Sequence, residues 1–149
     1  MLQLPADFKE FLSLLNTHRV DYLLVGGYAV VLHGYPRSTG DIDLWIRTSR
    51  GNAERVLRAC RDFGFDVPNL RLALFTEPKR MTRMGIPPLR IEILNSVSGL
   101  RFQDAWKRRV ITLMDGLEVP AISLADLRTN KQAAGRAKDI ADLENLPTP

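Results

Sequence analysis

Apolar residues recur at helical spacing near the start of the chain, where Phe8, Phe11, Leu12 and Leu15 follow Pro5 and predict an amphipathic helix over residues 6 to 17. A short apolar run, Tyr22-Leu-Leu-Val25, then stops at Gly26-Gly27, the reading of a buried strand that ends in a turn. A second helix starts within Tyr28–Leu32 and breaks at Gly34-Tyr-Pro36. In Asp41-Ile-Asp-Leu-Trp-Ile46 polar and apolar positions alternate, as in a half-buried strand. Residues 51 to 63 return to the helical period through Ala53, Val56, Leu57, Cys60 and Phe63, and Gly64 suits the end of that helix. Lys79–Met84 and Leu89–Leu94 flank Gly85-Ile-Pro-Pro88 as a β-hairpin. Phe102–Trp106 predicts a helical turn or two, followed by two short strands around Asp115-Gly116. Ser123-Leu-Ala-Asp126 matches a capping box that opens the first of two C-terminal helices, and Gly135 separates the two. With no internal repeat or linker, this order predicts one α/β or α+β domain over residues 1–149, built on a mixed sheet.

Side chains two apart on a strand share a face at about 3.3 Å of rise per residue. Asp41 and Asp43 therefore stand side by side while Ile42 and Leu44 turn into a core. Leu89-Arg-Ile-Glu-Ile-Leu94 has the same grammar, with Ile91 and Ile93 on one face and Arg90 and Glu92 on the other. If the two strands are neighbours, Glu92 joins the aspartates. Three carboxylates so close either hold protons with raised pKa values or bind hard divalent cations. Magnesium prefers oxygen ligands and keeps its remaining positions for water and substrate phosphates, which points to phosphoryl chemistry. In a two-metal site, ions about 3.5 to 4 Å apart stabilise the attacking and leaving oxygens of an in-line displacement.

An Asp-x-Asp alone occurs in many surface loops, so its weight comes from its neighbours. Gly26-Gly27 lies at a strand end and a helix start, where bare N–H groups and the helix dipole favour an anion and absent side chains let phosphate approach. Arg37-Ser-Thr39, just upstream of the carboxylates, offers a guanidinium and hydroxyls.

Composition narrows the field modestly. Hydrophobic residues at 45% and charged ones at 26% of 149 residues describe an ordinary globular chain and exclude a disordered or fibrous one. No run approaches the ~20 apolar residues of a membrane helix. The opening Met-Leu-Gln-Leu-Pro-Ala-Asp lacks the pattern of a signal peptide, so a cytoplasmic location is expected. The single cysteine, Cys60, reads as a small core residue. His18 and His33 have no Cys or His at ligand spacing and read as a surface or helix-end histidine and a helix-packed one. A net charge of +4 tolerates polyanionic partners, but Lys and Arg are spread along the chain and suit solvated faces as well as an RNA track. Tyr28 and Trp45, near the carboxylates, are candidates to stack a base or simply to pack.

The stretch from Gly26 to Ile46, with Gly-Gly at a helix start followed by Arg37-x-Thr39-x-Asp41-Ile-Asp43, resembles the signature of the polymerase-beta-like nucleotidyltransferase superfamily. The tail from Ile122 to Leu143 is similar to the C-terminal helices of small bacterial members, including toxin-type nucleotidyltransferases of toxin–antitoxin systems. The resemblance implies the nucleotidyltransferase fold, a mixed sheet flanked by helices with two helices at the C-terminus. It implies that Gly26 and Gly27 contact a triphosphate such as ATP, with Arg37, Thr39 and Lys131 also at the nucleotide. Asp41, Asp43 and Glu92 would be both the catalytic carboxylates and the ligands of two magnesium ions. Two positions depart from the usual pattern: Gly27 stands where many members have serine, and Glu92 where most have aspartate.

These readings converge on a magnesium-dependent transfer of a nucleoside monophosphate from a nucleoside triphosphate to an acceptor hydroxyl. Transfer RNA or another RNA, a protein hydroxyl and a small molecule such as an antibiotic all stay open as acceptors, and a cognate antitoxin as a partner. The alternatives are a catalytically silent relative that binds a nucleotide or a partner protein, and a small RNA-binding protein with incidental carboxylates.

Overall fold

A computed structural model describes residues 3–149. Met1 and Leu2, where the opening segment screened for a signal peptide begins, lie outside the described residues. Six strands form one mixed sheet in the order β3-β4-β2-β1-β6-β5. Its centre is β1 (Tyr22–Val25), antiparallel to β2 (Ile42–Ile46) and parallel to β6 (Leu117–Ala121). β2 runs parallel to β4 (Leu89–Leu94), which carries β3 (Met81–Ile86) on its outer side. β5 (Val110–Met114) forms the opposite edge against β6.

Alternating side chains of the central strands feed two cores. Leu24, Ile42, Leu44, Ile46, Ile91 and Ile93 pack with Phe8, Phe11, Leu12 and Leu15 of α1 (Ala6–Thr17) and with Val56 and Cys60 of α3 (Arg50–Asp62). Leu23, Val25 and Trp45 face the other way, against Ala29 and Val30 of α2 (Gly26–Leu32), Ala105 of α5 (Phe102–Lys107) and Leu127 of α6 (Leu124–Ala134). Asp43, two residues from Trp45, shares that second face, so it stands at the end of a buried stripe beside α2. Cys60 is fully buried, and burial pushes its thiol up to about 12, as befits a packing residue.

Several boundaries differ from the sequence reading. The Pro87–Pro88 pair, joined by a cis bond, makes the whole hairpin reversal, and Gly85 pairs with Arg90 inside the ladder. Gly85 adopts φ +97, and a Cβ there would lie 2.8 Å from the Leu89 carbonyl oxygen. A one-turn helix, α4 (Ala73–Thr76), buries Phe75 between Gly64 and Lys79, too short to show a period. Only half of the expected capping box forms: Ser123 Oγ accepts from the Asp126 N–H at 3.1 Å. The Asp126 carboxylate takes Arg108 Nε instead, at 3.0 and 3.2 Å. Gly135, at φ +65, ends α6 as expected before α7 (Ala137–Asn145).

Candidate active site

β1 runs into α2 with no intervening residue, and Gly26 takes φ +68 at the junction. A Cβ at Gly26 would lie 2.0 Å from Asp43 Oδ2, so the missing side chain is what lets that carboxylate reach the backbone at the head of α2. A Cβ at Gly27 would lie 2.4 Å from Thr39 Oγ1 and 3.3 Å from Arg37 Nη1. The departure from serine at this position thus has a steric cause, because the Arg37–Thr39 loop occupies the space. Thr39 itself donates to the Asp41 carbonyl oxygen at 3.2 Å and holds the loop in register with the carboxylates.

Asp43 and Glu92 are direct partners in the β2–β4 register, within hydrogen-bonding reach of each other. Burial pushes the Asp43 carboxyl up to about 8; the hydrogen bond and charge of Glu92 and the charge of Asp41 add to this, and Lys138 opposes it. Asp43 Oδ1 is buried without a partner. Asp41 accepts from Arg90 at 3.3 Å (Nε to Oδ1) and 3.1 Å (Nη2 to Oδ2), and Glu92 Oε1 accepts from Arg83 Nε at 3.1 Å.

The structure therefore gathers the three carboxylates, but not as a ready-made cation cage. Among the described residues no three carboxylate, imidazole or thiol side chains stand together in the arrangement of a metal site. Asp41 and Glu92 are each held by a guanidinium instead, that of Arg90 and that of Arg83. The alternation of β4 puts Arg90 and Glu92 on one face, but Arg83 could be found only once the β3–β4 register was known.

Arg37 and Lys131 also reach the cleft, inside an ion network. Arg37 holds Asp142 through Nε at 2.8 Å and Nη2 at 3.0 Å. Lys131, only 5% exposed, bridges Asp139 at 3.2 Å and Asp142 at 3.0 Å. Arg136 completes the chain through Asp139 at 2.7 Å. Burial raises the Asp139 pKa, but hydrogen bonds from Arg136 and Lys131 outweigh it and hold the carboxyl below its ordinary range. Three cations meet two carboxylates, so this wall stays positive while tying the Arg37 loop to α6 and α7. Arg136 and Lys138 carried no signal of their own in the sequence.

The other expected side chains are structural. Trp45 is 1% exposed and meets Phe102 edge-on at 5.2 Å, and Tyr28 packs likewise on Phe8 at 5.9 Å, so neither offers a stacking platform. His33 donates to the Ile122 carbonyl at 2.7 Å, and His18 lies 2.7 Å from Asp62.

The cleft over these residues has a volume of about 1590 Å³ and is lined by seven basic side chains against four carboxylates. A mixed sheet with an acidic centre beside a glycine turn, facing a basic cleft, defines the class as the nucleotidyltransferase fold. The chain belongs to a family of nucleotidyltransferases of unknown function, DUF6036, whose sequence profile matches residues 2–147. A Thermotoga maritima crystal structure, TM1012, described as a candidate nucleotidyltransferase, is similar with a TM-score of 0.64 at 18% identity, over 92% of this chain and 88% of that one. The lincosamide antibiotic adenylyltransferase LnuA, solved with lincomycin bound, gives 0.62 at 16% identity over 97% of each chain. No curated protein matches. No helix among the described residues is long and apolar enough to cross a membrane.

Proposed function

We propose that this nucleotidyltransferase moves a nucleoside monophosphate from a nucleoside triphosphate onto an acceptor hydroxyl and releases pyrophosphate. The observation that carries this reading is the junction of Asp43 with the glycine turn. There a carboxyl pushed up to about 8, with one oxygen unpartnered, meets backbone that only glycine can supply. Such a group calls for a neutralising cation, and an all-carboxylate donor set suits magnesium better than a softer metal. Asp41, Asp43 and Glu92 would hold it, two ions being the expected number. When bound, magnesium supplies the charge that neutralises the triphosphate and polarises its α-phosphorus.

To serve as ligands, Asp41 and Glu92 exchange their arginine partners, which frees Arg90 and Arg83 on the cleft wall to meet phosphate oxygens. Gly26 and Gly27 present backbone N–H groups to the triphosphate. Thr39 fixes the loop beneath it, while Arg37 and Lys131 keep the facing wall positive. Glu92 takes the proton of the acceptor hydroxyl as the new O–P bond forms and the bond to pyrophosphate breaks. The contact of Glu92 with Asp43 speaks against a binding-only relative, in which these side chains would stand apart.

The basic excess of the cleft supports a polyanionic acceptor, transfer RNA or another RNA, over a protein hydroxyl or a cationic small molecule. A cytoplasmic location follows from such substrates. A toxin role with a cognate antitoxin rests on the resemblance of the tail helices alone.

The test incubates the wild type and Asp43→Asn with each α-³²P-labelled nucleoside triphosphate, magnesium and total bacterial RNA or lysate. Label carried to a macromolecule by the wild type alone supports the reading and identifies base and acceptor. Magnesium-dependent triphosphate binding without transfer to any acceptor would overturn it in favour of a binding module.

A further inference from the structure

We propose that β5 is a self-association edge, pairing antiparallel with β5 of a second copy across a two-fold axis at Thr112. β5 ends the sheet, and its five residues, Val-Ile-Thr-Leu-Met, carry no charge. Ile111 is 57% and Leu113 71% exposed, two residues apart and therefore on one face. The opposite edge, β3, carries Arg83 and the left-handed Gly85, features that discourage edge pairing.

The backbone phase of β5 suits a partner. Asp115 and Gly116 form a two-residue turn with both φ positive, at +51 and +83, as a type I′ hairpin requires. The pair closing such a turn, Met114 and Leu117, is hydrogen-bonded, and bonded pairs then alternate along the ladder. Ile111 and Leu113 consequently direct their N–H and C=O groups away from β6. Two facts agree with this phase. Pro120, which has no N–H to give, stands opposite Ile111, and the carbonyl of Glu118, opposite Leu113, accepts from Asn16 on the side away from β5.

A two-fold axis at Thr112 places Ile111 against Leu113 of the other copy and makes both into hydrogen-bonded pairs. Every outward backbone group of the two residues is then satisfied, and the four exposed apolar side chains meet. Beside Ile111 lies a groove of about 350 Å³, bordered by Arg19, Val20 and Pro120, next to the place the incoming Leu113 would take. The strand ends match in charge as well. Arg109 precedes β5 and Asp115, which Lys9 approaches at 3.6 Å, follows it, so antiparallel pairing about Thr112 sets Arg109 of one copy against Asp115 of the other. A strand pair of this length buries less than about 1,000 Å², which places it among weak, transient interfaces.

Sedimentation velocity on the full chain from 5 to 500 µM tests this. The wild type is expected to shift toward a dimer, and Leu113→Lys to weaken association at least tenfold. Ile86→Lys, at an exposed apolar position on the other edge, should have no effect. Leu113→Pro removes one outward N–H and should also abolish pairing, with circular dichroism and the melting temperature reporting whether the fold survives. Register is read independently by Thr112→Cys. Cα atoms at a non-bonded pair stand about 4.5 Å apart, within disulfide reach, so oxidation should cross-link this variant much faster than Ser13→Cys on α1. The buried Cys60 does not compete. A wild type that stays monomeric at 500 µM, or Thr112→Cys cross-linking no faster than Ser13→Cys, would overturn the proposal.

Discussion

The Asp43 carboxyl makes the acidic centre a source of instability in the metal-free protein, and Asp43→Asn measures how large a source. In the folded chain this group titrates at about 8, against 3.8 for the ordinary side chain. Below pH 4 both folded and unfolded chains hold the proton and the group is neutral to stability. Between pH 4 and 8 only the folded chain holds it. Stability relative to a group that cannot ionise therefore falls as pH rises through this window and levels off above 8. At 1.36 kcal/mol per pKa unit the full shift sets an upper limit of roughly 5 to 6 kcal/mol. The cleft admits water and screens the group, so the expected loss is about 2 to 3 kcal/mol. The asparagine keeps the shape and removes the charge. Urea denaturation of both proteins in EDTA at pH 5, 6, 7 and 8 should show the variant gaining about 2 to 3 kcal/mol on the wild type across the series, or some 5 to 10 °C in melting temperature at pH 8. A difference that does not depend on pH would refute the reasoning.

The same centre should respond to cations: at pH 8, millimolar magnesium or manganese is expected to raise the melting temperature of the wild type by several degrees and leave Asp43→Asn unmoved, as a thermal-shift titration would read. Arg90→Met frees Asp41 from its guanidinium and should tighten manganese binding without nucleotide by about tenfold, the equivalent of 1.4 kcal/mol, seen as loss of the free-ion electron paramagnetic resonance signal; unchanged affinity would mean that Arg90 does not compete for the site. Gly26→Ala forces a Cβ to within 2.0 Å of Asp43 Oδ2 and should cost more than about 100-fold in transfer rate, measured with the labelled triphosphates, because such a displacement moves the carboxylate from its place. Lys131→Met leaves Asp139 and Asp142 with one arginine each and is expected to cost about 2 to 4 kcal/mol in urea unfolding at pH 7, less than the loss of a sole partner would.

How much of this was legible follows from the range over which each feature is encoded. Helices such as α1 and strands such as β2 are written in local periodicity, and the pairing of Asp41 with Asp43 on one face follows from the pleat alone. The Gly-Gly turn and the αL stop at Gly135 were equally readable, since each answers a backbone need within a few residues. Glu92 could be nominated, because its strand repeats the alternation of β2, but its contact with Asp43 depends on β2 and β4 being neighbours in one register. Local sequence carries no information on that.

The same limit explains what local sequence left open. Trp45, two residues from Asp43, could have stacked a base or packed, and α5 decides for packing by covering it with Phe102. Lys131 was expected at the nucleotide by resemblance, and only the packing of α7 shows that it is buried between two aspartates at the cleft wall. Gly27 looked like a departure from a pattern until the Arg37–Thr39 loop was seen filling the space a side chain would need. By itself the sequence determined the longer elements, the acidic motif and the glycine turn, because these rest on interactions within one element. Tertiary structure alone decided which arginine meets which carboxylate, how far Asp43 is pushed from its ordinary pKa and which cations are already matched, because desolvation and charge pairing depend on residues brought together from distant parts of the chain.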